Sequence, residues 1–186
     1  MSRRAIVCAA VLSLLPAVAG GVEVAGVSFP ATVEAGGKTL TLNGAGIRTR
    51  YFFKVYAMGL YLQQPSTNPA AILGADSVRR AELHMLRSVP AAEMGNAVAE
   101  AIYANAGGNA AGLKDRVERL KAMFPSAEQG EVITLTYVPG QGTVVAAKGK
   151  TVGTVEGKDF ADALFGAWIG SSPVDSSLKQ ALLAGK

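Results

Sequence analysis

The sequence has very little of what most enzymes use for catalysis. It contains one cysteine, Cys8, and one histidine, His84, in 186 residues. Zinc sites usually take several cysteine or histidine ligands, and a Cys–His nucleophile pair needs both residues in the folded domain. Because Cys8 lies in an N-terminal apolar run, we expect a mature protein without disulfide bonds or thiol chemistry. With no phosphate-loop or nucleophile-elbow motif either, we expect no cofactor and no bound metal.

Charge is also sparse. Lysine and arginine number 18 against 14 acidic residues, a net charge of +4. Leaving out Arg3 and Arg4 in the N-terminal segment lowers the basic count to 16 and the net charge to +2. Nucleic-acid-binding domains usually carry a clustered basic patch. The scattered charges therefore predict no nucleic-acid partner.

The first 19 residues have the pattern of a secretory signal peptide. Arg3 and Arg4 precede the apolar run Ala5–Leu15, and Ala17-Val18-Ala19 is a small-x-small cleavage pattern. The run is too short to remain as a membrane anchor. We expect residues 1–19 to be a signal peptide, residues 20–186 to form one domain, and a bacterial periplasm to be the destination. The Arg3-Arg4 pair leaves twin-arginine export open, although the segment matches that type of signal less completely than an ordinary secretory signal. The sequence does not predict the oligomeric state.

Strand and helix patterns in the mature chain fall into separate groups. Alternating apolar residues predict strands at 22–29, 38–43, 51–62, 79–89, 131–138, 143–147 and 150–156. Helical spacing predicts helices at 69–73, 91–105, 113–124, 159–169 and 175–183. This order indicates an α+β fold, a largely antiparallel sheet with helices on one face. The first two strands are expected to pair as a hairpin, and Gly44–Gly46 to interrupt the second.

Two arginines and three tyrosines, Arg48, Arg50, Tyr51, Tyr56 and Tyr61, lie on or just before the most apolar strand pattern. An arginine on a bent segment beside aromatic residues can hold a carboxylate or phenolate, with a tyrosine hydroxyl as a second donor. In the plainer alternative the arginine pairs with an acid and the tyrosines fill the core. The residue pattern leaves both open. His84 alternates with charged neighbours, which favours a solvated or hydrogen-bonded residue over a catalytic one.

The same stretch resembles the signature of the chalcone isomerase fold. The matching residues are Gly44-Ala45-Gly46-Ile47-Arg48 and the strand Val55–Leu62. A second match covers Ala163–Gly170, Pro173 and the Leu178-Lys179 helix. The resemblance implies an open-faced β-sandwich, in which a large antiparallel sheet carries a layer of helices.

In this family the resemblance allows two functions. Fatty-acid-binding members pair the matched arginine with a strand tyrosine, and Arg48 and Tyr56 match that pair. This implies a non-catalytic protein that binds a fatty acid or a similar amphipathic carboxylate, with Arg48 and Tyr56 as the ligand-binding residues. The apolar walls of such a pocket are expected among Phe53, Met58, Met94, Val98, Ile102, Leu164 and Trp168. Arg50, Tyr51 and Tyr61 are then expected to be structural.

The alternative is an isomerase that acts on a chalcone-like or enone substrate. The resemblance would then make Arg48, Tyr56 and Tyr103 the catalytic residues, with Arg48 stabilising an oxyanion. However, the threonine of the plant enzymes falls at Tyr56, and their late threonine or serine falls at Ala167. These departures favour the binding protein. A third hypothesis is a scaffold without a ligand, in which Arg48 pairs with a buried acid.

Overall fold

The computed structural model describes residues 20–185. Its strands are β1 (Val22–Val24), β2 (Val27–Phe29), β3 (Thr32–Ala35), β4 (Lys38–Arg50), β5 (Phe53–Leu62), β6 (Arg79–Met85), β7 (Val132–Val138), β8 (Gly142–Ala147) and β9 (Lys150–Val155). Strands β3 to β9 form one antiparallel sheet in chain order, while β1 and β2 form a separate hairpin. The predicted signal peptide, residues 1–19, lies outside the described residues.

Five helices accompany the sheet. They are α1 (Pro69–Gly74), α2 (Ala91–Asn105), α3 (Ala110–Met123), α4 (Lys158–Ile169) and α5 (Ser176–Leu182). The two short ones begin at capping side chains, since Asn68 accepts hydrogen bonds from N–H groups of α1 and Asp175 does the same for α5. Within residues 20–185, no helix has the length and apolar character needed to cross a membrane.

The helices cover one face of the sheet, which confirms the predicted α+β class. In β6 the alternation is direct: Ala81, Leu83 and Met85 are buried in the helix-side core, and the residues between them point to the other face. The central strand β5 is buried on both faces. Tyr56 packs in the helix-side core, whereas Tyr61 packs in a smaller core on the outer face.

The outer face is covered near β5 by the β1–β2 hairpin. Ala25 and Gly26 form its turn, with φ values of 54° and 78°. Our prediction of one continuous strand over Val22–Phe29 is therefore wrong, because this left-handed pair reverses the chain. Phe29 is fully buried against the sheet, and its ring centroid lies 5.0 Å from that of His84.

β4 continues from Lys38 to Arg50, so the predicted interruption at Gly44–Gly46 is wrong, although the pairing of β4 with β5 shifts register between Leu42 and Gly44. The two glycines instead allow α5 to approach the strand. A Cβ at Gly44 would collide with the carbonyl oxygen of Ala181, and one at Gly46 would lie 2.7 Å from the Ala181 Cβ. The close approach fixes α5 directly over the strand that carries Arg48.

Two other boundaries differ from the predictions. β4 pairs with β3 through a turn at Gly36-Gly37, where both residues have positive φ, so the predicted pairing of Val22–Phe29 with β4 does not form. β6 ends at Met85 rather than Val89. Val89 makes a lone bridge to Ala127 instead, just before α2 begins.

Candidate functional site

Arg48 and Tyr56 face each other across the β4–β5 hairpin. They are direct partners in the strand register. The register shifts immediately after them, between Arg48 and Thr49. Such irregularities twist a strand and re-aim its side chains. The hairpin therefore brings together the two residues that the sequence proposed as ligand-binding.

The guanidinium of Arg48 has no carboxylate partner in the described part of the chain. No ion pair within 4.0 Å involves it. Its Cζ lies 5.6 Å from the centroid of the Tyr56 ring, which is cation–π range. Its Nε is buried and makes no hydrogen bond. The scaffold hypothesis, which required Arg48 to pair with a buried acid, does not agree with this geometry.

Trp168 of α4 holds the hydroxyl of Tyr56. The indole Nε1–H donates to the Tyr56 Oη at 2.8 Å, and both residues are buried. Because an indole can only donate, the tyrosine oxygen is the acceptor and its own proton stays available. Trp168 thus orients Tyr56 as a donor.

Tyr56 also stays protonated. Burial raises the pKa of its hydroxyl above the ordinary value, and the positive charge of Arg48 and the hydrogen bond from Trp168 only partly oppose this. The negative charge of Asp175 acts in the same direction as burial. The hydroxyl is therefore neutral, and able to donate, at any physiological pH.

Asp175 joins α5 to β4 beside Arg48. One of its oxygens accepts hydrogen bonds from the N–H groups of Ser177 and Leu178, at 2.9 and 3.0 Å. The other accepts from the Thr49 N–H at 3.0 Å. Both carboxylate oxygens are thereby engaged with backbone donors, which leaves the Arg48 guanidinium for another anion.

A cleft of about 320 Å³, open to solvent, reaches Arg48. It is lined by Arg48, Thr49, Arg50, Ala97, Glu100, Ala101, Ala104, Ser172 and Val174. Ala97, Ala101 and Ala104 make one side of α2 the apolar part of the wall, and Glu100 of the same helix adds a carboxylate to the lining. Tyr56 is not part of the lining, because it is only 2% exposed and lies on the core side of Arg48. The cleft and the Trp168–Tyr56 pair therefore approach Arg48 from different sides.

The predicted pocket walls divide into two groups. Met58, Met94, Val98, Ile102, Leu164 and Trp168 are all buried in the helix-side core. Phe53 is 60% exposed at the start of β5, so it is neither core nor part of the Arg48 cleft. The core residues lie beneath the cleft, between α2 and the sheet.

The remaining aromatic and basic candidates lie apart from Arg48. Tyr103 is half-buried on α2 against the helix-side core, and it does not line the Arg48 cleft. Tyr61 fills the outer core, as expected for a structural residue. Arg50 and Tyr51 do not fit that expectation, since both are exposed near the end of the hairpin.

His84 contacts an acid on its own strand. Its Nε2 lies 2.7 Å from the Glu82 carboxylate, and Arg80 contacts the same side chain. The pKa of Glu82 is lowered by these contacts, chiefly by the hydrogen bond with His84. No group of three or more potential metal ligands occurs within residues 20–185.

Comparison with known proteins gives the family. The sequence profile of chalcone isomerase-like proteins matches residues 21–184. The chain belongs to the chalcone isomerase-like family. Curated protein sequences give no match.

Among solved structures, this family member is similar to a fatty-acid binding protein of Arabidopsis thaliana. The TM-score is 0.71 at 20% identity, over 85% of this chain and 92% of that one. At this identity the likeness concerns the fold, a curled antiparallel sheet with helices. The structural likeness confirms the fold class, and the profile match confirms the family that the sequence motifs indicated.

Sequence reasoning missed two parts of the site. It placed Trp168 in a wall, whereas the side chain acts as the donor to Tyr56. It also missed the cleft side of α2, which carries Ala97, Ala101 and Ala104. Their spacing of three and four residues was visible in the sequence, but alanines on one helical face are usual in packed interiors and did not single out a surface.

Proposed function

We propose that this protein is a non-catalytic binding protein for a fatty acid or a similar amphipathic carboxylate. The observation that carries the proposal is the state of Arg48, a half-buried arginine with a buried, unpaired Nε and no acidic partner among the described residues. A buried N–H donor without an acceptor costs free energy unless something compensates it. A ligand carboxylate provides that compensation.

The head group is bound by two kinds of donor. The guanidinium fork offers charge-assisted hydrogen bonds to both carboxylate oxygens. Tyr56 adds a neutral hydroxyl, oriented by Trp168, once the carboxylate reaches the core side of Arg48. The similar Arabidopsis fold is that of a protein described as fatty-acid binding, which supports the same ligand class here.

The acyl chain lies along the alanine side of α2. A cleft of about 320 Å³ is at the lower end of the range for small-molecule sites. Longer chains have room only if α2 moves away from the sheet. Met58 of β5 and Met94 of α2 are both buried in the helix-side core, and methionine side chains repack easily. We therefore expect medium-chain acids to fit with the least rearrangement.

The isomerase alternative rests on Arg48, Tyr56 and Tyr103 acting together. Tyr103 lies outside the Arg48 cleft, so the three residues do not line one site, which favours the binding protein. Mixing the protein with chalcone and following its absorbance tests the alternative directly. Loss of chalcone that disappears in the Arg48→Ala variant would establish catalysis and contradict our proposal.

We further propose that the protein works in the periplasm after removal of residues 1–19. The basic start, apolar run and small-x-small pattern of the sequence support this location. Intact-mass measurement of the protein from a periplasmic extract is the test. A mass corresponding to a chain that begins at Gly20 is expected, and an uncleaved chain in the cytoplasm would contradict the proposal.

The main test is to identify lipids that co-purify with the protein and then to titrate laurate by calorimetry. We expect bound fatty acid in the wild type and roughly 10- to 100-fold weaker laurate binding in Arg48→Ala, the loss of a charged hydrogen bond. Arg119→Ala, an exposed arginine on α3, is the matched control and should bind as the wild type does. A wild type that carries no lipid and gives no heat with laurate would refute the function.

A further inference from the structure

The turn between β4 and β5 exposes three aromatic side chains in a row. Tyr51 is 81% exposed, Phe52 96% and Phe53 60%. We call these three residues the aromatic tip. They are the largest exposed apolar side chains in the described chain, where the next is Val152 of β9 at 46%. Large aromatic rings held in water give nothing to folding, so the aromatic tip calls for a role outside the core.

The backbone of the aromatic tip strengthens this point. Tyr51 has φ 57°, in the left-handed region that glycine and asparagine adopt with least strain. Two-residue hairpin turns normally place those residues here. The sequence keeps a bulky aromatic residue at a position where it costs local stability and gains no packing. Such an outlier is typical of a functional site.

Basic side chains surround the aromatic tip. Arg50 lies 5.8 Å from the Tyr51 ring centroid, and Arg87 lies 4.9 Å from that of Phe53. Lys54 follows directly in β5 and is exposed. Glu93 lies 3.8 Å from Arg50, and Glu100 lines the Arg48 cleft together with Arg50. Arg50, Lys54 and Arg87 outnumber these two acids, which leaves the surroundings of the aromatic tip positive.

From this arrangement we propose that the aromatic tip docks the protein on an anionic lipid bilayer. Aromatic rings favour the headgroup region of a membrane, and lysine and arginine are drawn to anionic lipids. A protein partner fits less well, since a standard protein interface buries about 800 Å² on each side. Three neighbouring side chains at the end of one hairpin offer less area than that, which suits insertion between headgroups better.

The aromatic tip lies close to the cleft that is proposed to bind the ligand. Arg50 lines the Arg48 cleft, and it also lines a second cleft of about 650 Å³ together with Tyr51, Phe53 and Arg87. A bilayer held at the aromatic tip therefore lies at the mouth of the cleft proposed to bind the carboxylate. Transfer of an amphiphile between membrane and protein rests on the proposed function, whereas the docking itself does not.

Vesicle co-sedimentation tests the docking. Full-length mature protein is mixed with vesicles of phosphatidylcholine and phosphatidylglycerol in equal parts, and with vesicles of phosphatidylcholine alone. We expect binding to the anionic vesicles that weakens with added salt. Phe52→Ser combined with Phe53→Ser should weaken it at least about tenfold, and Lys54→Gln or Arg87→Gln about fivefold each.

Two variants separate docking from folding and from surface hydrophobicity. Tyr51→Asn suits the positive φ, so it should melt no lower than the wild type while binding vesicles less tightly. Val152→Ser removes an exposed apolar side chain at the far edge of the sheet and should change nothing. Laurate titration of the Phe52/Phe53 variant should match the wild type, so failure of docking is distinguishable from failure of ligand binding.

Two results would overturn the proposal. One is a wild-type protein that stays in the supernatant with anionic vesicles. The other is vesicle binding that survives in the Phe52/Phe53 variant. Self-association of the wild type that this variant abolishes, measured by light scattering without lipid, would assign the aromatic tip to a protein partner instead and equally contradict membrane docking.

Discussion

Two arginines, Arg79 and Arg48, lie against aromatic rings on neighbouring parts of the sheet, but only one is fully used by the fold. Arg79 is wholly buried, 4.8 Å from the Tyr137 ring centroid and 4.9 Å from that of Phe165. Its Nη2 pairs with Asp162 at 2.5 Å, and its Nη1 donates to three carbonyl oxygens around the end of α1. Arg48 has no acidic partner among residues 20–185.

The partners of each guanidinium distinguish an arginine that stabilises the fold from the one proposed to bind a ligand. Both leave a buried Nε without an acceptor, so that feature alone does not separate them. What separates them is that Arg79 finds a carboxylate and three carbonyl oxygens inside the fold. Arg48 instead lies at the edge of a solvent-filled cleft. We conclude that Arg79 stabilises the protein, and the contrast supports the proposed ligand-binding role of Arg48.

Removing Arg79 should have the largest effect. Arg79→Ala leaves a cavity and takes the donor from the carbonyl groups at the end of α1, so we expect a loss of about 3–5 kcal/mol in the free energy of unfolding. Urea unfolding followed by circular dichroism measures it. Arg80→Ala, the neighbour on the outer face, is the control and should cost about 1 kcal/mol or less. Equal losses of unfolding free energy in the two variants would contradict the structural role assigned to Arg79.

Tyr56→Phe comes next. It leaves the Trp168 Nε1–H buried without an acceptor, which should cost about 1–3 kcal/mol in unfolding free energy. Trp168→Phe should cost less in this background than in the wild type, because the hydrogen bond of the pair is already lost and only the packing of the indole remains to be lost. A double-mutant cycle in urea measures the coupling. Fully additive losses would show that the pair does not act as a unit.

Arg48→Ala should barely change stability. No ion pair or hydrogen bond among the described residues is lost, and the cation–π contact with Tyr56 contributes about 0.5–1 kcal/mol. We therefore expect a change of about 1 kcal/mol or less in the free energy of unfolding, far less than for Arg79→Ala. Thermal melting of the lipid-free protein is the measurement. A loss comparable with that of Arg79→Ala would mean that Arg48 also serves the fold, and would weaken the case for a binding role.

The smallest effect concerns a third arginine, Arg116, which pairs with Asp159 at the surface. The hydrogen bonds from Arg116 lower the pKa of Asp159 to about 2. A lowered carboxyl pKa stabilises the fold above its unfolded value of about 3.9, and this is lost as the pH falls through about 2.

Asp159→Asn should therefore cost less than about 1 kcal/mol at neutral pH, because the pair is solvent-screened. The difference from the wild type should shrink as the pH falls from about 4 to 2. Unfolding curves across that interval measure it, and a difference that stays constant with pH would rule out the ion pair as its cause.

Much of the fold follows from local patterns. The alternation in β6 and the stripe of Met94, Val98 and Ile102 on α2 each report which side faces the core. Errors arose where distant segments decide. Gly44 and Gly46 predicted an interruption of β4. Glycine is needed there because α5, which is distant in sequence, packs directly on that strand.

The candidate site was predictable only in part. Arg48 and Tyr56 came from a motif resemblance, and their register in the hairpin agrees with it. The donor role of Trp168 depends on a contact between residues 112 positions apart, which no local pattern reports. The exposure of Tyr51 was missed for the opposite reason, since an aromatic residue beside an apolar strand usually indicates burial.

The most direct test of the central claim compares laurate with dodecanol, a neutral alcohol of the same chain length, by displacement of a fluorescent fatty acid. If Arg48 binds the carboxylate, the wild type should prefer laurate by about tenfold or more. Arg48→Ala should bind the two ligands equally. A preference for laurate that survives in Arg48→Ala would contradict the account.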